Sequence, residues 1–442
     1  MIFNFTTHVK KGGRLLVSIP YILCKKYGIK LGDVVLAELN DHTFFGYISG
    51  TVSSKKITVP LRIFQKLPLG ELQIKIKILQ KRKPKLLIVR NKIDLYQSLP
   101  NRLKHFGWPL AVVNEDNYIK VWSPQAHEQV FPRYLELNEE LFEVFGLYQG
   151  EGYKKTPVGG TRVNFVNSNV GLINKVILFF QNIFEISPEK WSAFINYVGD
   201  SKEKLNRVII DYWSQKTNIP VNNFKRVNYL KGKGIKSAEN GTLHIFIPSC
   251  VLGEVCLNIL EIIEKLSLKN KQYASWFLRG IMAADGSATL QKYKSLRIVE
   301  LALENDHEKY LYTKIFERLC IGIKDYSLSS RKLGVSGWDD FFKLAQINVF
   351  KLHDIKRDKF LVGLSNHKQT RMVLKYLLPL LESKKCASEL VKKISVTKGS
   401  LHATLNVNLR RGFITKIKEN GKCKYYLTEK GYDAVSFFNN FS

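Results

Sequence analysis

Apolar positions with helical spacing dominate two stretches of the chain. Asn138 to Gly152 reads NEELFEVFGLYQGEG, and Asn270 to Gly286 reads NKQYASWFLRGIMAADG. Leu141, Phe142, Val144, Phe145, Leu147 and Tyr148 in the first, and Trp276, Phe277, Leu278, Ile281 and Met282 in the second, predict one helix each. Small residues four apart, Gly146 with Gly150 and Gly280 with Ala284, share a helical face. Glycine inside a helix costs about 1 kcal/mol relative to alanine, whereas small faces let two helix backbones approach closely. Both helices end on an acid followed by glycine, Glu151 and Asp285. Packing the small faces together would set those acids side by side.

Residues 1–83 alternate as strands and contain a repeat. Val9 to Pro20 (VKKGGRLLVSIP) and Leu31-Gly-Asp-Val34 are echoed by Val52 to Pro60 (VSSKKITVP) and Leu69-Gly-Glu-Leu72. Pro20 and Pro60 each close a strand and open a short helix. Leu-Gly-Asp or Leu-Gly-Glu then leads into strands at Val34–Leu39 and Gln73–Leu79. The repeat resembles the AbrB-type swapped-hairpin barrel, which implies DNA contacts from Lys10, Lys11, Arg14, Lys55 and Lys56. A small barrel used for packing alone fits the same pattern.

Residues 84–135, with Pro109, Pro124 and Pro132, read as a connector or small β subdomain. From 136 to 268 the pattern gives helix, a strand at Arg162 to Asn167, helix near 171–184, strand near 191–198 and helix near 202–215. Strands Phe224–Leu230 and Thr242–Pro248 follow, bracketing Lys231-Gly-Lys-Gly234 as a basic hairpin, and then a helix. From 269 to 368 the order is helix to Asp285, strands near 289–291 and 296–303, helix near 307–319, strands near 325–330 and 332–336, and helix from Trp338. Each half is read as αββαββα. Residues 369–442 give helices at 371–381, 387–394 and 398–410, and a hairpin turning at Glu419-Asn-Gly-Lys422.

Composition narrows the partners. Lys+Arg 69 against Asp+Glu 38 gives a net charge of +31, the mark of a polyanion partner and of salt-dependent binding. From 370 onward 14 basic residues face 5 acidic ones. No apolar run reaches membrane-spanning length. The first residues lack a signal-peptide pattern, so an intracellular, cytoplasmic protein is expected. Six cysteines without a Cys-x-x-Cys pair indicate neither a zinc site nor a disulfide framework. The nine histidines form no His-x-x-x-His pair, and a lone one such as His244 on a strand reads as structural. Lys231-Gly-Lys-Gly234 is not a phosphate-binding P-loop.

Two acids at adjacent helix C-termini repel each other and the helix dipoles. A divalent ion held by Glu151, Asp285 and the carbonyls of Gly150 and Ala284 would relieve this, with Mg²⁺ (or Mn²⁺, with Ca²⁺ as an inert occupant) as the cofactor. A plain alternative is two amphipathic helices whose terminal acids face solvent. On the strands, Arg162, Asn164, Asn167 and Arg297 are candidates for base edges in the major groove, although half-exposed strands alternate in any case. Lys154, Lys155, Lys231 and Lys233 are candidates for phosphate.

The segments Val144 to Gly152 (VFGLYQGEG) and Leu278 to Gly286 (LRGIMAADG) resemble the LAGLIDADG homing endonuclease family, in a two-repeat, single-chain form. Gln149 and Ala283 depart from its pattern, standing where an earlier acid often appears. The resemblance implies that Glu151 and Asp285 bind the catalytic metals, with Lys236 and Lys332 as further catalytic candidates. Residues 369–442 resemble a winged helix-turn-helix, which implies base contacts from Lys398, Ser400 and His402 and a phosphate contact from Lys422.

The expectation is an α+β multidomain chain with five parts, at 1–83, 84–135, 136–268, 269–368 and 369–442. A central pseudo-symmetric αββαββα pair would lie between a swapped-hairpin β-barrel and a winged helix. Its function would be sequence-specific, metal-dependent cleavage of double-stranded DNA by a monomer with an internal pseudo-two-fold, with no membrane or small-molecule partner. Two readings compete with it. One is a transcriptional regulator on the same scaffold without nuclease activity, and the other, resting on family precedent, is an RNA splicing helper.

Overall fold

The computed structural model describes residues 2–9, 15–68, 70–79, 83–103, 109–123, 128–152, 162–199, 203–230, 239–325, 331–419 and 421–439. It is a mixed α+β chain that divides into two compact units, Met1–Lys265 and Leu266–Ser442.

The first unit begins with β1 (Ile2–Val9), β2 (Leu16–Ser18), α1 (Tyr21–Lys26), β3 (Val34–Leu39), β4 (His42–Gly50), β5 (Lys55–Thr58), α2 (Leu61–Phe64) and β6 (Gly70–Ile78). These strands form one antiparallel sheet in the order β1-β6-β3-β4-β5-β2. Equivalent strands of the two repeats pair with each other, Val17 opposite Ile57 and Ala37 opposite Ile76. All four side chains are fully buried, which is how strict alternation turns two half-barrels into one core. Pro20 and Pro60 are the N-caps of α1 and α2, one residue earlier than the first helical position expected.

Next come β7 (Ile88–Val89), β8 (Lys92–Asp94), α3 (Leu95–Ser98), β9 (Ala111–Glu115), β10 (Tyr118–Trp122), β11 (Gln129–Pro132) and β12 (Tyr134–Glu136). Two three-stranded sheets result, β12-β8-β7 and β11-β10-β9. Arg133 locks them, donating from Nε and Nη2 to the buried Asp94 carboxylate at 3.2 and 2.9 Å and from Nη1 to Asn114 at 3.1 Å.

The rest of the unit is α4 (Glu139–Glu151), β13 (Val163–Asn167), α5 (Val170–Phe184), β14 (Ser192–Val198), α6 (Glu203–Thr217), β15 (Phe224–Leu230), β16 (Thr242–Ile247) and α7 (Cys250–Ser267). Asn138 caps α4 by accepting from the Leu141 amide at 2.9 Å. Among the described residues the order is αβαβαββα, with α5 directly after β13. The sheet runs β13-β16-β14-β15, with β14 and β15 parallel. The helical crossover α6 between them makes that pairing possible. The expected hairpin of β15 with β16 is not formed. Instead β16 inserts between β13 and β14, fully burying Leu243 and Ile245.

The second unit holds α8 (Lys271–Asp285), β17 (Gly286–Leu290), β18 (Leu296–Ala302), α9 (Asp306–Arg318), β19 (Lys324–Asp325), β20 (Lys332–Val335), α10 (Trp338–Gln346) and α11 (Asp354–Ser365). Its sheet, β17-β18-β20-β19, is antiparallel throughout. Along the described strands the antiparallel run β13-β16-β14 has its counterpart in β18-β20-β19, and the first sheet adds the parallel β15 at its edge. Gly152 and Gly286 serve the same purpose in both halves. A Cβ there would meet the Tyr148 carbonyl at 2.2 Å or the Met282 carbonyl at 2.5 Å, so glycine is needed where the chain leaves each helix.

The unit ends with α12 (Lys368–Leu377), β21 (Lys385–Cys386), α13 (Ala387–Ile394), α14 (Lys398–Arg410), β22 (Ile414–Glu419), β23 (Lys422–Leu427) and α15 (Glu429–Asn439), around the sheet β21-β23-β22. Trp338 welds this region to α10. Its ring packs against Phe342, Phe413 and Phe438, its Nε1 donates to Thr370 at 2.7 Å, and Arg411 lies over it at 4.8 Å. Among the described residues no helix is long and apolar enough to cross a membrane.

Candidate nucleic-acid interface

The outward face of β13-β16-β14-β15 is an organised polar surface of the first unit. Inward positions are apolar (Ala193, Ile195, Leu243, Ile245), so alternation sends Phe194, Asn196, His244 and Phe246 outward. Phe194 stacks on His244 with centroids 4.3 Å apart, and Phe246 lies 6.3 Å from Phe194. Two guanidiniums cover the aromatic strip, Arg162 at 4.6 Å over Phe246 and Arg226 at 5.8 Å over Phe194. Such contacts hold an arginine in place without neutralising it.

A hydrogen-bond chain runs across three strands of the same face. The Asn228 Nδ2 donates to Asn196 Oδ1 at 2.9 Å, and the Asn196 Nδ2 donates to His244 Nε2 at 2.8 Å. That geometry requires a neutral imidazole with its proton on Nδ1. Burial agrees, pushing the His244 pKa down to about 4. Beside this chain, Arg162 Nε and Asn164 Oδ1 are buried with no hydrogen-bond partner among the described residues. Buried polar atoms are normally satisfied, so this pair at the start of β13 is an exception.

The acids at the helix ends lie in different units. Glu151 accepts a hydrogen bond at 3.0 Å from the Asn167 Nδ2, and Asn167 Oδ1 accepts from the Asn169 amide at 2.8 Å. In the second unit, Lys356 of α11 reaches the end of α8, where its Nζ donates to the Ala283 and Ala284 carbonyls at 2.8 and 2.7 Å. An ammonium at this position answers the helix dipole directly. The carbonyl expected to ligate a metal in the second helix thus accepts a hydrogen bond from a lysine. No group of three or more His, Cys, Asp or Glu side chains with metal-binding geometry occurs among the described residues.

The other expected site residues are dispersed. Asn164 and Asn167 are buried, and the Asn167 amide is engaged within the protein, so it does not reach toward solvent. Gly150 is half-buried within α4. Arg297 is exposed on β18, and Lys332 pairs with Glu300 at 3.7 Å. Lys398, Ser400 and His402 are exposed on α14, where Thr397 caps the helix by accepting from the Ser400 amide, and Lys422 is exposed at the start of β23. Lys10, Lys11, Arg14, Lys154, Lys155, Lys231, Lys233 and Lys236 lie outside the described residues.

Sequence reasoning missed Asn196, Asn228, Arg226 and Lys356, and it set His244 aside. The outward Asn and His positions on β14, β15 and β16 carried a period-two signal, but only the strand order brings them together. The Lys356 contact had no local signal, since α11 itself was not foreseen.

No family model matches the chain, and no curated protein matches it. One solved structure, described as the crystal structure of full-length DUF199/WhiA from Thermatoga maritima, aligns over 62% of this chain and 90% of its own. The identity is 11% and the TM-score 0.28, a likeness too slight to transfer fold or function. The resemblance to the LAGLIDADG homing endonuclease family, and with it the AbrB-like and winged-helix assignments, is therefore corrected. No matching model supports it.

Proposed function

We propose that this chain binds duplex DNA sequence-selectively and serves as a DNA-binding regulator that does not hydrolyse phosphodiesters. The outward face of β13-β16-β14-β15 is the observation that carries the reading. Arg162 and Arg226 are held charged over aromatic rings, and Asn228, Asn196 and His244 form a pre-positioned amide–imidazole row. Amides and guanidiniums are the groups that read purine edges in the major groove. A net charge of +31 supplies sequence-independent attraction to phosphate.

A second element supports the same partner. The exposed residues Lys398, His402, Asn406 and Arg410 of α14 recur every four positions, so they form one helical stripe. The helix lies between α13 and the β22–β23 hairpin. Lys356 at the end of α8 weighs against a metal there, and so against hydrolysis.

The test is selection of bound duplexes from a randomised pool by the full chain, together with a supercoiled-plasmid assay in Mg²⁺ and in Mn²⁺. Enrichment of one sequence with the plasmid left intact is expected. Retention of all duplexes alike would sink selectivity. Plasmid cleavage that disappears in Glu151→Gln or Asp285→Asn would establish the nuclease reading in its place.

A further inference from the structure

A different surface of the second unit carries chemistry that a duplex-binding face does not need. The hairpin joining β17 to β18 is closed by the Gln291 amide donating to the Ser295 carbonyl at 2.8 Å. At its tip Tyr293 (φ 62°, ψ 27°) and Lys294 (φ 54°) both adopt left-handed backbone. That conformation is unfavourable for a bulky residue, and such strain concentrates at functional sites. The Tyr293 side chain is 80% exposed, and the Lys292 Nζ lies 5.4 Å from its ring centroid.

Facing this tip, α12 presents Lys368, Arg371 and Lys375, all exposed, at a spacing that puts them on one helical face. The two walls enclose a cleft of about 410 Å³ whose lining includes Lys292, Tyr293, Asn366, Lys368, Arg371 and Lys375 and no acid. Both walls are fixed. Gly363 of α11 lies so close to the base of the hairpin that a Cβ would come within 2.5 Å of Leu290 and 3.2 Å of Leu296. On the other side, buried Thr370 of α12 donates to the Leu364 carbonyl at 2.6 Å while accepting from Trp338.

We propose that this cleft binds single-stranded nucleic acid, with one unpaired base stacked on Tyr293 and the flanking phosphates held by Lys292, Lys368, Arg371 and Lys375. An open aromatic face serves an unstacked base and has no use for the closed stack of a duplex. Four cations in a lining that holds no acid suit consecutive phosphates. This site stands independently of the duplex reading.

The test uses the full chain and a labelled short oligo(dT), followed by fluorescence anisotropy over a range of salt, with a duplex of matched length titrated separately. Tyr293→Ala should weaken oligo(dT) binding about ten-fold, Tyr293→Phe should retain it, and neither should change duplex affinity. Lys368→Gln with Arg371→Gln should lower the slope of log affinity against log salt by about 1.4 for oligo(dT). The ring is exposed, so circular dichroism should show an unchanged fold in every variant. The proposal is overturned if Tyr293→Ala binds oligo(dT) like the unmodified chain, or if that chain does not bind oligo(dT) at low salt. Loss of duplex binding alone would bear on the duplex reading and leave this one standing.

Discussion

The two four-stranded sheets look interchangeable in the sequence, each following a helix that ends in an acid and a glycine, yet their outward faces differ in kind. On β13-β16-β14-β15 the face is aromatic and amide-bearing, with two guanidiniums laid on rings. On β17-β18-β20-β19 a carboxylate sits in the middle. Glu300 accepts from the Thr289 hydroxyl at 3.3 Å and pairs with Lys332 at 3.7 Å. A carboxylate on that face repels phosphate, and its lysine is partly neutralised by the pairing. The difference teaches that a repeated helix motif does not bring a repeated function with it; the strands that follow decide.

The helix ends sharpen the contrast. At α4 a neutral amide, Asn167, meets the terminal acid, whereas at α8 a charged lysine meets two carbonyls. Lys356→Met should therefore have the largest effect on stability. Losing two charge-assisted hydrogen bonds at a half-buried helix end costs about 2–3 kcal/mol. Asn167→Ala should cost about 1 kcal/mol. Urea denaturation of the full chain, resolved for the two units, checks both, and equal losses would erase the distinction.

A smaller effect separates the faces by pH. His244 has its folded pKa pushed down to about 4, against an ordinary value near 6.5, mainly by burial. The unfolded chain therefore takes up the proton first as pH falls. This contribution to stability is complete above about pH 6.5 and is lost as pH drops toward 4. Allowing for solvent around a half-exposed ring, the change is on the order of 1 kcal/mol. His244→Gln should flatten that part of the stability profile between pH 7 and pH 4.5 relative to the unmodified chain. An unaltered profile would remove the neutral imidazole from the account.

Much of the architecture was legible from local signals. Alternation located most strands, Asn138 and Asn270 stand at the starts of α4 and α8, and the repeat in residues 1–83 reappears as paired equivalent strands. Non-local choices were not legible. That β16 would insert between β13 and β14 depends on which apolar strand is buried most deeply, and nothing near Thr242–Ile247 encodes it. The helix α11 was missed because exposed Ile355 and Val362 blur its periodicity. Its Lys356 reaches a helix end more than seventy positions away in sequence. The acids Glu151 and Asp285 drew attention as a pair, but their immediate surroundings contain an amide in one case and a lysine-bound helix end in the other.

The most direct measurement compares the affinity of the full chain for its selected duplex, across a range of salt, in Arg162→Ala with Arg226→Ala and in Lys332→Ala. If the face of β13-β16-β14-β15 carries the interface, the double variant should lose about a hundred-fold in affinity, and its salt slope should fall by about 1.8. Lys332→Ala should stay within about three-fold, because Glu300 already holds that charge. A double variant that binds as tightly as the unmodified chain, or a loss in Lys332→Ala of the same size, would contradict the account.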